Sequence, residues 1–110
     1  MDIIEVIEGQ IKSNSIILYM KGTPQFPQCG FSARVVDVLK PYGVPFAYVN
    51  ILENPEIRAN LPKYANWPTF PQLWVDSELV GGCDIIVEMA QNAELEPLLK
   101  SASDKGDSAE

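Results

Sequence analysis

The chain has 110 residues, 46% of them hydrophobic and 21% charged, a profile that fits one soluble domain with a single core. Eight basic against fifteen acidic side chains give a formal charge of −7, which argues against nucleic acid and against anionic membrane surfaces as partners. There is no histidine, so Ser-His-Asp and Cys-His catalysis and imidazole metal sites are excluded, and two cysteines cannot close a structural zinc site within one chain.

Along the chain, no apolar run approaches the ~20 residues of a membrane span. The opening Met1-Asp2-Ile3-Ile4-Glu5 lacks the basic start of a signal peptide, so a cytoplasmic setting is expected. Ile3, Ile4, Ile7 and Ile11 recur at the spacing of an amphipathic helix over residues 2–12, which Asn14-Ser15 breaks. Residues 16–20 are apolar throughout, as expected of a strand covered on both faces. The stretch Lys21-Gly22-Thr23-Pro24-Gln25-Phe26-Pro27-Gln28 follows, where two prolines are expected to hold a loop extended. Cys29-Gly30 then opens a helix carrying Phe31, Val35, Val36 and Leu39 and ending near Pro41-Tyr42-Gly43. Residues 46–51 form the next strand, and parallel pairing with the first through a right-handed crossover is the expected outcome.

Asn54-Pro55-Glu56 reads as a helix start with a capping side chain, Ile57 and Leu61 as its inner face, and Pro62 as its end or a kink. The proline-rich Trp67-Pro68-Thr69-Phe70-Pro71 leads into Gln72-Leu73-Trp74-Val75. Asp76-Ser77 turns that strand back into Glu78-Leu79-Val80 as an antiparallel hairpin, with Ser77 leaving the turn type open. Gly81-Gly82-Cys83-Asp84 precedes a helix through Ile85, Ile86 and Met89, and Pro97 fits the first turn of a last short helix with Leu98 and Leu99. Residues 1–100 thus read as one domain. Residues 101–110, without a large apolar side chain, read as a disordered acidic tail.

Chemistry gathers at a few places. A sulfur at the mouth of a helix meets unpaired N–H groups and the positive end of the dipole, and Lys21 could add its charge, so Cys29 is placed to be a thiolate. A thiolate attacks disulfides or binds soft metals. The plain alternative is a small buried hydrophobe, against which the loop prolines and the lysine weigh. Cys83 lies in a similar glycine-rich turn before a helix, which is either an anion site or simply a tight turn. Asp84 is most simply a helix N-cap, with an ammonium-binding role as the other option. Thr69-Phe70-Pro71 admits an ordinary trans turn or a cis peptide, and a bend there would turn the N–H and C=O of Phe70 towards an extended peptide. Lys21, Arg58 and Lys63 are the cations best placed for a carboxylate, each with a solvated surface charge as its plain alternative.

Cys-Gly-Phe-Ser at 29–32, Trp-Pro-Thr-Phe-Pro at 67–71 and Gly-Gly-Cys-Asp at 81–84, with Lys21 ahead of the cysteine, resemble the monothiol glutaredoxin family in its short, single-domain bacterial form. The likeness runs from about Ile3 to Leu99, and Ser77 replaces a glycine often seen in the hairpin turn. It implies an α/β, thioredoxin-like fold with a central four-stranded mixed sheet flanked by helices. It also implies a glutathione site, in which Lys21 and Arg58 take the glycyl carboxylate, the Phe70 backbone pairs with the cysteinyl unit, and the Cys83–Asp84 turn holds the γ-glutamyl end. Cys29 is then the cluster-ligating thiol, and BolA-type proteins and iron–sulfur acceptor proteins are the implied partners.

The residues add a mechanism to that likeness. Ser32 stands where a resolving thiol would, so Cys29 must wait for an outside thiol. A 2Fe–2S core takes four thiolates. If Cys83 belongs to the glutathione turn, each chain gives Cys29 and each bound glutathione one sulfur, so the holo-form is expected to be a cluster-bridged homodimer that carries clusters to acceptors. Two rivals stand beside this. One is a glutathione-dependent thiol–disulfide oxidoreductase acting on mixed disulfides with Cys29 as nucleophile; the other is a non-catalytic binding module that uses the fold as a scaffold.

Overall fold

The apolar run of strand β1 (Ile16–Met20) is buried along its whole length and lies at the centre of a four-stranded sheet. The computed structural model of the protein describes residues 2–108, and side-chain surroundings for residues 2–104. Because side chains alternate along a strand, Ile16, Leu18 and Met20 enter one core and Ile17 and Tyr19 another, on the opposite face. Strands β2 (Ala47–Asn50), β3 (Gln72–Val75) and β4 (Glu78–Gly81) complete the sheet in the order β2-β1-β3-β4. β2 runs parallel to β1, with Ile17 opposite Ala47, whereas β3 is antiparallel to both β1 and β4.

Helices α1 (Ile3–Ser13) and α3 (Pro55–Ala65) cover one face through Ile7, Ile11, Ile57 and Leu61. Helices α2 (Gly30–Leu39), α4 (Cys83–Gln91) and α5 (Leu95–Ser108) cover the other through Val35, Val36, Ile86, Leu95 and Leu99. The expected mixed sheet between helical layers is present. In the hairpin, Asp76 (φ 50°) and Ser77 (φ 68°) both take left-handed backbone, the primed turn that matches strand twist.

Three local expectations are corrected. Asn54 occupies the N-cap of α3 but does not cap it; its side-chain amide donates to Asn50 O at 2.8 Å. Pro62 lies inside α3 without ending it, and the last turn closes beyond it, where Trp67 N–H donates to Pro62 O at 3.0 Å and Asn66 is left-handed. The third concerns the last helix, which was expected to be short. Helix α5 continues through Ser108, and residues 109–110 lie outside the described residues. Leu95, Leu99 and Ala102 are buried at i, i+4 and i+7, so a methyl-sized side chain extends the apolar stripe past Leu99.

Candidate functional site

The end of β1 delivers the chain into a loop that is folded back on itself, not extended. Thr23 and Phe26 exchange backbone hydrogen bonds of 3.2 and 3.0 Å, and Gln28 N–H returns to Lys21 O at 2.9 Å. Gly22 makes this possible: its φ is +92°, and a Cβ there would stand 2.5 Å from Phe26 O. Asn50, at the end of β2, anchors the loop by accepting from Gly22 N–H at 2.9 Å and Leu52 N–H at 3.0 Å. The sequence reading did not single out Asn50; the signal lies in the parallel register that sets it opposite Met20.

Cys29 is the N-cap of α2. Its Sγ accepts from Ser32 N–H at 3.3 Å and lies 3.3 Å from the Ser32 hydroxyl. Ser32 is fully buried, and its oxygen accepts from Lys21 N–H at 3.1 Å. That contact leaves the hydroxyl proton to point at sulfur when Cys29 is ionised. Partial burial is the largest single influence on Cys29 and opposes its ionisation. The Ser32 hydroxyl and N–H, the Phe31 N–H and the charge of Lys21 together outweigh it, and the pKa is lowered.

A groove of about 550 Å³ opens beside this thiol, and Lys21, Arg58, Phe70, Cys83 and Asp84 all line it. Cys29 stands just outside the lining, joined to it through its neighbour Phe31 and through Lys21. Lys63, the third cation expected there, is not part of the wall. A smaller recess of about 420 Å³ shares Phe31, Cys83 and Asp84 with the groove and adds Arg34, which the sequence reading passed over.

Buried Gln72 fixes the groove wall. Its Nε2 donates to Trp67 O at 3.1 Å and Thr69 O at 3.2 Å, while its Oε1 accepts from Trp74 Nε1 at 3.2 Å. Phe70–Pro71 is a cis peptide. At the double-glycine bend Gly81 takes φ +143°, where a Cβ would meet Ile85 Cδ1 at 2.8 Å. Gly82 is the N-cap of α4; Asp84 is not, and sits exposed in the first turn.

The two cysteines, alike in local sequence, differ chemically. Cys83 is buried, and burial pushes its thiol pKa up; Arg34 opposes the shift, and the charges of Asp84 and Cys29 add to it. Both thiols are free. The arrangement thus offers one nucleophilic sulfur, one protonated sulfur, two cations and a helix N-terminus around a single groove.

The glutaredoxin family model matches residues 16–80, a span that holds the Cys29 loop, the Trp67–Pro71 wall and the hairpin. The chain belongs to the glutaredoxin family. With one cysteine in Cys-Gly-Phe-Ser, it is of the monothiol type. It is 63% identical over 107 residues to glutaredoxin 4 of Escherichia coli K12, covering 97% of this chain and 93% of that protein. Reduced apo GrxS14 of poplar has a similar structure, with TM-score 0.77, 47% identity, and coverage of 91% of this chain and 92% of that one. Glutaredoxin C1 of a Populus hybrid, solved in a holo form, gives TM-score 0.79 at 25% identity, with 90% and 87% covered. The thioredoxin fold is thus the one found in these glutaredoxins. Among the described residues of this glutaredoxin, no helix is long and apolar enough to cross a membrane.

Proposed function

We propose that this monothiol glutaredoxin binds glutathione in the groove and, as a homodimer, carries a 2Fe–2S cluster that it hands to acceptor proteins. The observation that carries the reading is a single hydrogen-bonded, low-pKa sulfur beside a groove lined by two cations and the N-terminus of a helix. Lys21 and Arg58 would take the glycyl carboxylate, the Phe70 backbone the cysteinyl unit, and the Cys83–Asp84 turn the γ-glutamyl end. An exposed anionic terminus suits a basic side chain, and an α-carboxylate suits the N–H groups of a helix start.

The cluster is the cargo, and the donor set fits it by arithmetic. Cys83 is buried with a raised pKa, so each chain contributes Cys29 alone. Among the described residues there is no group of three or more His, Cys, Asp or Glu side chains able to hold a metal ion. Four thiolates then require two chains and two glutathiones. Ligands that can exchange let the cluster leave, which suits delivery better than storage. Two free thiols fit a reducing, cytoplasmic setting, and BolA-type proteins are a further partner that the family suggests.

The lowered pKa of Cys29 also favours a second reading, removal of glutathione from mixed disulfides. Cys29 thiolate would attack the glutathione sulfur and release the protein thiolate; a second glutathione would then attack the Cys29 mixed disulfide, leaving oxidised glutathione and Cys29 thiolate. Anaerobic reconstitution with iron, sulfide and glutathione separates the two. The carrier reading expects a coloured dimer with two glutathiones, absent in Cys29→Ser. High turnover on glutathionylated substrate with no stable cluster would favour the oxidoreductase.

A further inference from the structure

Trp67 lines the groove, yet its indole Nε1 is closed off from solvent and has no hydrogen-bond partner, alone in this among buried side-chain nitrogens and oxygens of the described residues. The chain's other tryptophan provides the contrast, since Trp74 Nε1 donates to Gln72 Oε1. A buried donor left unpaired is unfavourable, so a native structure that keeps one calls for a partner such as a ligand, an ion or a water. Its position says which. A Cβ added to Gly82 would lie 3.5 Å from Trp67 Nε1 and 3.4 Å from Pro71 O, so the indole nitrogen faces the residue that caps α4. The first turn of α4 presents N–H groups without helical partners, a natural seat for a carboxylate.

The indole can reach a ligand there. Gln72 holds the loop backbone at Trp67 O and Thr69 O, but the Trp67 side chain makes no hydrogen bond of its own and the residue is only part-buried. Because only the backbone of the loop is held by Gln72, a turn of the ring would open Nε1 to the groove without moving the loop. Glycine at position 82 leaves the space between ring and helix unfilled.

We propose that Trp67 is a ligand-binding residue whose indole N–H donates to an oxygen at the γ-glutamyl end of glutathione. This rests on the glutathione site proposed above and adds to it a donor that reads that end of the tripeptide.

The test is a titration of the wild-type protein, labelled with 15N, with reduced glutathione. Two indole N–H signals are present, and Trp67→Phe identifies which belongs to residue 67. The Trp67 signal is expected to move downfield as its proton gains an acceptor, while the Trp74 signal, already bonded, stays in place. Trp67→Phe is expected to bind glutathione about ten- to a hundredfold more weakly, the effect of one hydrogen bond to a charged group. Movement of the Cys83 and Asp84 amide signals with a stationary Trp67 indole signal would overturn the inference and leave the glutathione site standing. If no groove signal moves, the glutathione site itself fails, and the inference with it.

Discussion

A serine explains more of Cys29 than the cysteine's own position does. Ser32 is buried, accepts from Lys21 N–H, gives its N–H to the sulfur and holds its hydroxyl 3.3 Å from it, so the loop and the helix start are tied together at the reacting atom. A lowered pKa keeps a thiol ionised at pH values where an ordinary cysteine is protonated. The rate of Cys29 alkylation by iodoacetamide, followed against pH by mass spectrometry, should therefore rise through a midpoint below that of free cysteine. Cys83 should react more slowly and at higher pH, because burial raises its pKa. By linkage, ionised Cys29 stabilises the fold above the ordinary thiol range, and that contribution fades as pH falls through its lowered value. Ser32→Ala removes the hydroxyl but keeps the N–H. The Cys29 midpoint should move up, and urea unfolding should show a loss of about 1–3 kcal/mol as the Lys21 N–H loses its acceptor. An unchanged alkylation profile would mean that the hydroxyl plays no part in holding the anion.

At the scale of elements, α5 tests how far a stripe of small residues can carry a helix. Ala102 has no exposed surface and packs in the core formed by β1, α2 and α4. Ala102→Asp should cost about 2–4 kcal/mol, since it buries an unpaired charge, whereas Ser101→Asp, one position away on the exposed side, should change stability by less than about 0.5 kcal/mol. Equal unfolding midpoints in urea for the two variants would show that this turn is not docked. The same helix shows what a sequence conceals. A run such as Ile16–Met20 announces a central strand because every side chain is large and apolar, but alanine reads as neutral until a neighbour covers it. The Asp76–Ser77 turn and the helix mouth at Cys29 were legible because local backbone chemistry governs both. Asn50 and Gln72 were not, because each acts through bonds to segments that only the register of β1 with β2, or the return of the loop before β3, brings within reach. Arg34 was missed for a similar reason: on α2 alone it is one more surface charge, and only packing beside α4 sets it near Cys83.

At the scale of the whole molecule, the acidic surface bears on the proposed self-association. Each chain carries a formal charge of −7, and Lys21, Arg34 and Arg58, three of its eight basic residues, border the groove and its neighbouring recess. The proposed dimer joins two such chains through a cluster held between their Cys29 sulfurs, near the exposed ring of Phe31. The molecule measures 35 × 34 × 25 Å, so at ~10 mM salt, where the screening length is ~30 Å, each chain feels nearly the full repulsion of the other. At ~150 mM the screening length falls to ~8 Å, and only charges near the contact still matter. In the proposed dimer those nearest the contact would be the groove cations, facing the thiolate-ligated cluster and the carboxylates of glutathione. Raising salt should therefore strengthen the dimer, by removing the long-range repulsion while sparing short-range contacts around the cluster. Sedimentation equilibrium of the anaerobically reconstituted protein, at constant glutathione and two salt concentrations, measures this directly. A dimer that instead loosens with salt would mean that attraction between charged patches of the two chains, rather than the cluster and its thiolates, holds them together.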